Sequence, residues 1–314
     1  MHPSLDFSCH ESLQRITSTL LRVWPEHAKY LTLRFRDSSP DRIARDELLA
    51  SLILKLIEDD LELFCRDYRW MCEEFTQEEL YFRRYGNYRL KTFAEANQNI
   101  YSNPAYMPRY VRGILMSQLL WSNHAGAVDL FRTRYLPLLP DRFEHLEIGP
   151  GHGLFAYFAR SDSRSDLVTC WDVSSSSLAA TREALKKLKL VEPVALVQKD
   201  VLDASSTQAS FDSAIASEVL EHLERPDEAL RNIHRALRPG GILFLNVPIN
   251  SPAPDHIFLW RTPNEVTELV VSTGFSIKEH HLLPMTGYTI DQALKWRLSV
   301  SCILVAIKPS TRAD

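Results

Sequence analysis

Three of the chain's ten glycines fall within five residues, in the stretch FEHLEIGPGHGLF at positions 143–155, directly behind a run with bulky apolar residues. Glycine enters a left-handed backbone without steric cost, so Gly149, Gly151 and Gly153 mark a tight turn between a strand and a helix. The rhythm set there continues. FEHLEI (143–148), LVTCWD (167–172), VALVQ (194–198), FDSAIA (211–216) and GILFLNV (241–247) read as strands, separated by LFAYFAR, SLAATREALKKLKL and PDEALRNIHRALR as helices. Alternation at this length predicts right-handed crossovers and an α/β fold with a parallel, doubly wound sheet. After Trp260, TPNEVTELVVSTG predicts a helix with Thr262 as N-cap, Pro263 at its first position, Glu265 closing a capping box and Gly274 as the stop. FSIKEHHLL and LSVSCILVAIK then supply two closing strands.

Before Pro140 the pattern is different. Glycine is scarce there, and apolar residues recur at helical spacing. SSPDRIARDELLASLILKLIEDD opens with Ser39 as N-cap and Pro40 at the first helical position, and Leu48, Leu49, Leu52, Ile53, Leu56 and Ile57 form one apolar face. TQEELYFRRYG predicts another helix start, with a Thr76–Glu79 capping box and Gly86 at the end. AYMPRYVRGILMSQLLWSNHAGAVDLFRTRYLPLLP predicts one or two helices, interrupted near Pro108 and ended before Pro137. The organisation expected is therefore an all-helical unit over residues 1–142 and an α/β domain over 143–314.

Charge and cysteine content narrow the partners. With 36 Lys and Arg against 40 Asp and Glu, a formal charge of −4 and no clustered basic stripe, nucleic acid is disfavoured as the main partner. Five dispersed cysteines without a Cys-x-x-Cys pair fit reduced thiols, not a disulfide scaffold or zinc–thiolate site. MHPSLDFSCHES has no basic and then apolar secretory signal, and no apolar run approaches the ~20 residues of a membrane span. The expectation is a cytoplasmic protein with no membrane partner.

The glycine spacing separates two ligand classes. A dinucleotide fingerprint requires G-x-G-x-x-G, but Leu154 stands where its third glycine belongs, and no phosphate-cradling G-x-x-x-x-G-K-[ST] occurs. Glu147, two residues ahead of the turn, suits a ligand carrying an ammonium or sulfonium better than a pyrophosphate. E-x-G-x-G-x-G behind the first strand resembles motif I of class I S-adenosylmethionine-dependent methyltransferases. CWDVSSSSL, QKDVLD, FDSAIASEVLEHL and RALRPGGILFLNVP continue that resemblance over residues 143–308. It implies a Rossmann-like sheet, mostly parallel with an antiparallel closing strand, behind an N-terminal helical cap. It also implies S-adenosylmethionine as cofactor, held by Glu147, Gly149, Gly151, Gly153, Asp172, Val173, Asp200, Val201 and Ser217. Asp172 is expected on the ribose hydroxyls, Asp200 on the adenine amino group, and the amide of Val201 on a ring nitrogen.

Beyond the fourth strand, His222 and Glu221 are the candidate acid–base groups, since an unperturbed imidazole exchanges its proton near ~6.5. The E-x-x-E-H segment also resembles that of metal-using O-methyltransferases of the ubiquinone pathway. With D-H-x-F-x-W (255–260), it resembles small-RNA 3′-end 2′-O-methyltransferases as well. That resemblance implies a divalent ion, Mg or similar, on Glu218, Glu221, His222 and His256. In the helical half, Tyr101, Tyr106, Tyr110, Trp121 and His124, with Arg109 and Gln118 between them, form an amphipathic row. Tyr106, Tyr110, Trp121 and His124, together with His256, are the expected contacts for a small-molecule acceptor, a specialised metabolite methylated on a hydroxyl. Methylation of nitrogen or carbon, a metal-dependent RNA 2′-O-methyltransferase, and a non-catalytic protein on the same fold remain as alternatives.

Overall fold

The structure is a computed structural model that describes residues 7–203 and 209–310; the first six residues of MHPSLDFSCHES lie outside it. The N-terminal region holds α1 (Glu11–Val23), α2 (Ala28–Phe35), α3 (Pro40–Ile57), α4 (Leu61–Tyr85), the single turn α5 (Phe93–Ala96), α6 (Met107–Leu120) and α7 (Ser122–Leu130). Ser39 caps α3 by accepting the amide of Arg42, and Pro40 opens the helix, as the sequence indicates. The expected start at Thr76 is corrected. α4 runs through that position, Thr76 Oγ1 donates back to the Cys72 carbonyl at 2.8 Å, and Glu79 pairs with Arg83. LELFCRDYRWMCEEF has no glycine or proline to stop propagation, so the helix continues past a potential cap until Gly86, in a left-handed conformation at φ 71°. Pro108 likewise opens α6 instead of interrupting a helix, and the break falls at Trp121, whose backbone is extended.

The sheet region runs β1 (Phe143–Ile148), α8 (Leu154–Arg160), β2 (Ser165–Asp172), α9 (Ser175–Lys187), β3 (Val194–Gln198), β4 (Phe211–Ser217), α10 (Pro226–Ala236), β5 (Leu237–Ile249), α11 (Pro263–Ser272), β6 (Ser276–Pro284), α12 (Ile290–Trp296) and β7 (Val300–Ile307). The strand order is β3-β2-β1-β4-β5-β7-β6, parallel from β3 to β5, with β7 antiparallel to both its neighbours. This is the mostly parallel Rossmann-like sheet expected. The helix α12 was not anticipated; Thr289 and Gln292 form its capping box. The box expected at α11 is half-made: Thr262 accepts the amide of Glu265, but the Glu265 carboxylate takes the amide of Arg261.

Alternate strand residues face opposite cores, as the period of two requires. Ile215, Phe244, Ile303 and Val305 join one, while Ala214, Ala216, Leu243, Leu245 and Leu304 join the other beneath α10 and α11. The helical region completes the first core. Phe131, fully buried, meets Phe155 and Phe244 edge-on at 5.0 and 5.5 Å, and Tyr135 OH lies 2.8 Å from the carbonyls of Ala214 and Ile242. Burial of each such ring is worth about 1.5–3 kcal/mol, so the helical region is held to the sheet by shared core packing. Gly126 brings α7 against β6, since a Cβ there would stand 2.7 Å from Leu283 Cδ1. Among the described residues no helix is long and apolar enough to cross a membrane. The chain order reverses between β1 and β4, which opens a crevice beyond the carboxyl ends of the strands.

Candidate active site

The turn after β1 is built from glycine for a geometric reason. Gly149, Gly151 and Gly153 all have positive φ (64°, 50° and 73°), and a Cβ on Gly149 would stand 2.9 Å from Val219 Cγ2. Thr181 Oγ1, fully buried on α9, donates to the Gly151 carbonyl at 2.9 Å and so fixes the turn from behind. Glu147 is 3% exposed, and its Oε2 has no hydrogen-bond partner. Burial pushes its carboxyl well above the ordinary range against a weaker opposing pull from the Ala156 backbone. An orphaned acid at this position fits a ligand that brings a cation or donor to the turn.

The two acids expected on the nucleoside lie at the ends of β2 and β3. Asp172 accepts the amide of Ser174 at 2.8 Å and the hydroxyl of Ser177 at 2.7 Å, which orients its carboxylate, and Val173 beside it is exposed. Asp200 accepts the amide of Leu202 at 2.8 Å, and Asn232 Nδ2 donates to the Val201 carbonyl at 2.8 Å.

Beyond β4 the chemistry changes. Glu218 has a left-handed backbone at φ 53°, uncommon for a residue with a Cβ, and Asn246 on β5 grips it twice. Its amide donates to the Asn246 carbonyl at 2.9 Å, and its Oε1 accepts from Asn246 Nδ2 at 3.0 Å, which also reaches Ser217 Oγ at 3.0 Å. A short 3-10 turn, Leu220–His222, follows. The Glu221 carbonyl accepts the amides of Ile257 and Phe258, both at 2.9 Å, and this folds the loop after β5 back over the turn. That pairing brings His256 to Glu221.

Glu221, His222 and His256 place one ligand atom each within 4.8 Å of one another. Glu221 is fully buried, neither of its oxygens has a hydrogen-bond partner, and Oε1 lies 3.7 Å from His222 Nε2 and 4.0 Å from His256 Nε2. His256 Nδ1 is 2.7 Å from the Ser251 carbonyl and His222 Nδ1 is 3.1 Å from the Asp255 carbonyl. A carbonyl only accepts, so these two contacts favour a proton on each Nδ1, which leaves the Nε2 lone pairs towards Glu221. Burial lowers His256 to about 4, with His222 adding to the effect, so it stays neutral at physiological pH. Burial raises both Glu218 and Glu221 far above the ordinary carboxylate range. A carboxylate without donors facing two imidazole lone pairs is a donor set suited to a cation. Glu218, the fourth expected ligand, stands outside this cluster in the grip of Asn246.

The aromatic row is divided. Tyr110 OH donates to Asp255 Oδ1 at 2.7 Å, Trp121 Nε1 donates to Tyr68 OH at 3.0 Å, and Tyr106 OH reaches Glu74 at 3.4 Å. His124 bonds Ser117 Oγ at 2.9 Å and burial lowers it to about 3. Their polar ends are committed within the protein. Sequence reasoning missed Asn246, Thr181 and Tyr88, whose hydroxyl accepts the amide of Ser251 at 3.0 Å and whose ring meets His256 edge-on at 5.8 Å. Only Asn246 carries a signal, a polar residue inside the apolar run GILFLNV.

Comparison with known proteins places this geometry in a class. Residues 146–245 match the family model of a methyltransferase domain. Together with the strand order and the glycine turn, that match gives the sheet region a Rossmann-like methyltransferase fold. The chain is 29% identical over 177 residues to an O-methyltransferase of Pyrenophora dematioidea, covering 50% of this chain and 66% of that one. It is 34% identical over 139 residues to a ubiquinone/menaquinone biosynthesis C-methyltransferase of Pasteurella multocida, covering 42% and 52%. A polyketide synthase–nonribosomal peptide synthetase of Pyricularia grisea is 32% identical over 124 residues, 36% of this chain and 3% of that protein. The chain thus spans less than two thirds of the length of each of these relatives.

Proposed function

We propose that this protein transfers the methyl group of S-adenosylmethionine to a hydroxyl of a small-molecule acceptor, assisted by a divalent ion at Glu221, His222 and His256. One observation carries the acceptor side: a buried carboxyl group with both oxygens unpartnered faces the Nε2 atoms of two imidazoles at 3.7 and 4.0 Å. Glu147, Gly149, Gly151, Gly153, Asp172, Val173, Asp200, Val201 and Ser217 would hold the cofactor, which supplies an electrophilic methyl carbon when bound. The ion would supply a Lewis acid that lowers the pKa of the acceptor oxygen. Two imidazole nitrogens and one carboxylate favour a transition ion such as manganese or zinc over magnesium, which prefers oxygen ligands.

The chain's own task is positioning and exclusion of water, because in-line displacement needs the nucleophile near ~3 Å from the methyl carbon. Without an ion, His222 Nε2 is the group able to take the acceptor proton, with Glu221 orienting it. The helical region, residues 1–142, would cover the acceptor. There Tyr106, Tyr110 and Trp121 would offer ring faces, their polar atoms being engaged elsewhere, and His124 and His256 would complete the acceptor wall. Oxygen is favoured over carbon because the proposed ion binds and activates oxygen. The synthetase among the relatives supports an acceptor of the specialised-metabolite kind.

The test is methyl transfer from labelled S-adenosylmethionine to a panel of alcohols and catechols, with Mn²⁺ or with a chelator. Label on oxygen in the Mn²⁺ arm alone is expected. Equal labelling with chelator removes the ion, and label on carbon or nitrogen overturns O-methylation.

A further inference from the structure

We infer that Tyr101, Tyr110 and the Asp255 carboxylate form a positioning network, supplied largely by the helical region, that fixes the tautomer and orientation of His222. This rests on the site proposed above. Asp255 precedes His256 and by type is a candidate ligand, yet the structure turns it the other way. It is 3% exposed, and a buried carboxylate requires donors. Tyr110 O–H on α6 donates to Oδ1 at 2.7 Å, and Tyr101 O–H, from the turn between α5 and α6, donates to Oδ2 at 3.3 Å. The carboxylate is thereby pinned to the helical region, and its own main chain is pinned with it.

His222 reads that arrangement through one nitrogen. Nδ1 is 3.1 Å from the Asp255 carbonyl, 3.1 Å from the Tyr101 oxygen and 3.6 Å from Asp255 Oδ2. The carbonyl and the carboxylate only accept, and with the Tyr101 O–H directed to Asp255 Oδ2 the phenol oxygen accepts as well, so a proton on Nδ1 satisfies all three contacts. The lone pair then lies on Nε2, the atom facing Glu221 Oε1. Carboxylate and carbonyl groups that orient a ligating imidazole typically govern metal affinity by about 10–100-fold. The ring also meets His256 edge-on at 5.1 Å, so a rotation of His222 would disturb both imidazoles. In this arrangement the Tyr101 and Tyr110 hydroxyls and the Asp255 carboxylate act through His222.

The test uses the full chain, metal-free, with ¹⁵N-labelled histidine. Long-range ¹H–¹⁵N correlation assigns the His222 tautomer by comparison with His222→Gln, and Mn²⁺ affinity is measured separately by electron paramagnetic resonance. The wild type should show His222 protonated on Nδ1. The Tyr101→Phe/Tyr110→Phe double variant and Asp255→Asn should each reveal an Nε2-protonated population and lose about 10–100-fold in Mn²⁺ affinity. Thermal melts establish that each variant is folded; if the double variant is not, half-buried Tyr101→Phe alone is read in its place. An Nε2-protonated wild type, or folded variants that keep both the Nδ1 proton and full affinity, would overturn the network. A wild type that shows the expected tautomer and variant shifts but binds no Mn²⁺ would remove the ion from the proposed function and leave the network standing.

Discussion

The two banks of the crevice are built on opposite principles. On the side of β1 to β3 the chain offers backbone turns and short-range hydrogen bonds: three glycines in left-handed conformation, and Asp172 and Asp200 each held by amides two residues on. On the side of β4 and β5 it buries carboxylates, leaving Glu221 without a donor and holding Glu218 in a left-handed backbone. The first bank is assembled largely by residues close in sequence, and its aspartates are satisfied without a ligand while Glu147 keeps one unpartnered oxygen. The second is assembled by loops and helices far apart in sequence, and is satisfied only when something arrives. In the function proposed above, the glycine turn with Glu147 and the two held aspartates would recognise the cofactor, and the unpartnered Glu221 would receive the cation.

Substitutions should separate the banks. The largest effect is expected for Glu221→Ala, which should reduce Mn²⁺ binding and methyl transfer by at least about 100-fold yet leave S-adenosylmethionine affinity within about twofold. A parallel loss of cofactor binding in calorimetry would merge the two banks into one. Next, Gly149→Ala meets both a positive φ and Val219 at 2.9 Å, so a cost of about 1–3 kcal/mol and a loss of cofactor affinity are expected. Gly151→Ala, whose Cβ would meet nothing nearer than 4.0 Å, should pay only the backbone penalty of about 1–2 kcal/mol. Equal melting temperatures for the pair would dismiss the Val219 contact. Asp172→Ala should weaken cofactor binding about tenfold, or about 1.4 kcal/mol, with Mn²⁺ affinity unchanged.

A separate effect, away from both banks, concerns acid. Burial lowers His145 to about 3, against about 6.5 for an unfolded histidine. The folded pKa is depressed, so the stability from the neutral imidazole is complete above pH ~6.5 and is lost as pH falls towards ~3. At most this amounts to about 1.4 kcal/mol per pH unit for each such histidine. Melts from pH 7 to 4.5 should show a shallower decline for His145→Asn than for the wild type; identical slopes would contradict the burial argument.

What was legible in the sequence follows the same division. The bounds of β1, β3 and α8 coincide with FEHLEI, VALVQ and LFAYFAR, because a strand entering a glycine turn and a short helix leaves a local record. The pattern also located Glu147, the glycines, Asp172 and Asp200 at the crevice, each at a strand end. Thr76 failed as a cap because helix propagation over LELFCRDYRWMCEEF outweighs one local signal. On the far bank, nothing periodic links the LEH turn to the loop at 255–258, and only the E-x-x-E-H and D-H-x-F-x-W segments pointed to their meeting. Asn246 stands out as a polar residue in an apolar strand, but its double grip on Glu218 leaves no record in the sequence. Tyr101 and Asp255 were visible only as one of an aromatic row and as the neighbour of His256.

The most direct measurement of the central claim is calorimetric titration of the metal-stripped wild type with S-adenosylmethionine. If the glycine bank is a complete cofactor site independent of the acceptor bank, binding should saturate at one equivalent in the presence of chelator. Absence of binding under those conditions would contradict both the independence of the two banks and the methyltransferase reading built on it.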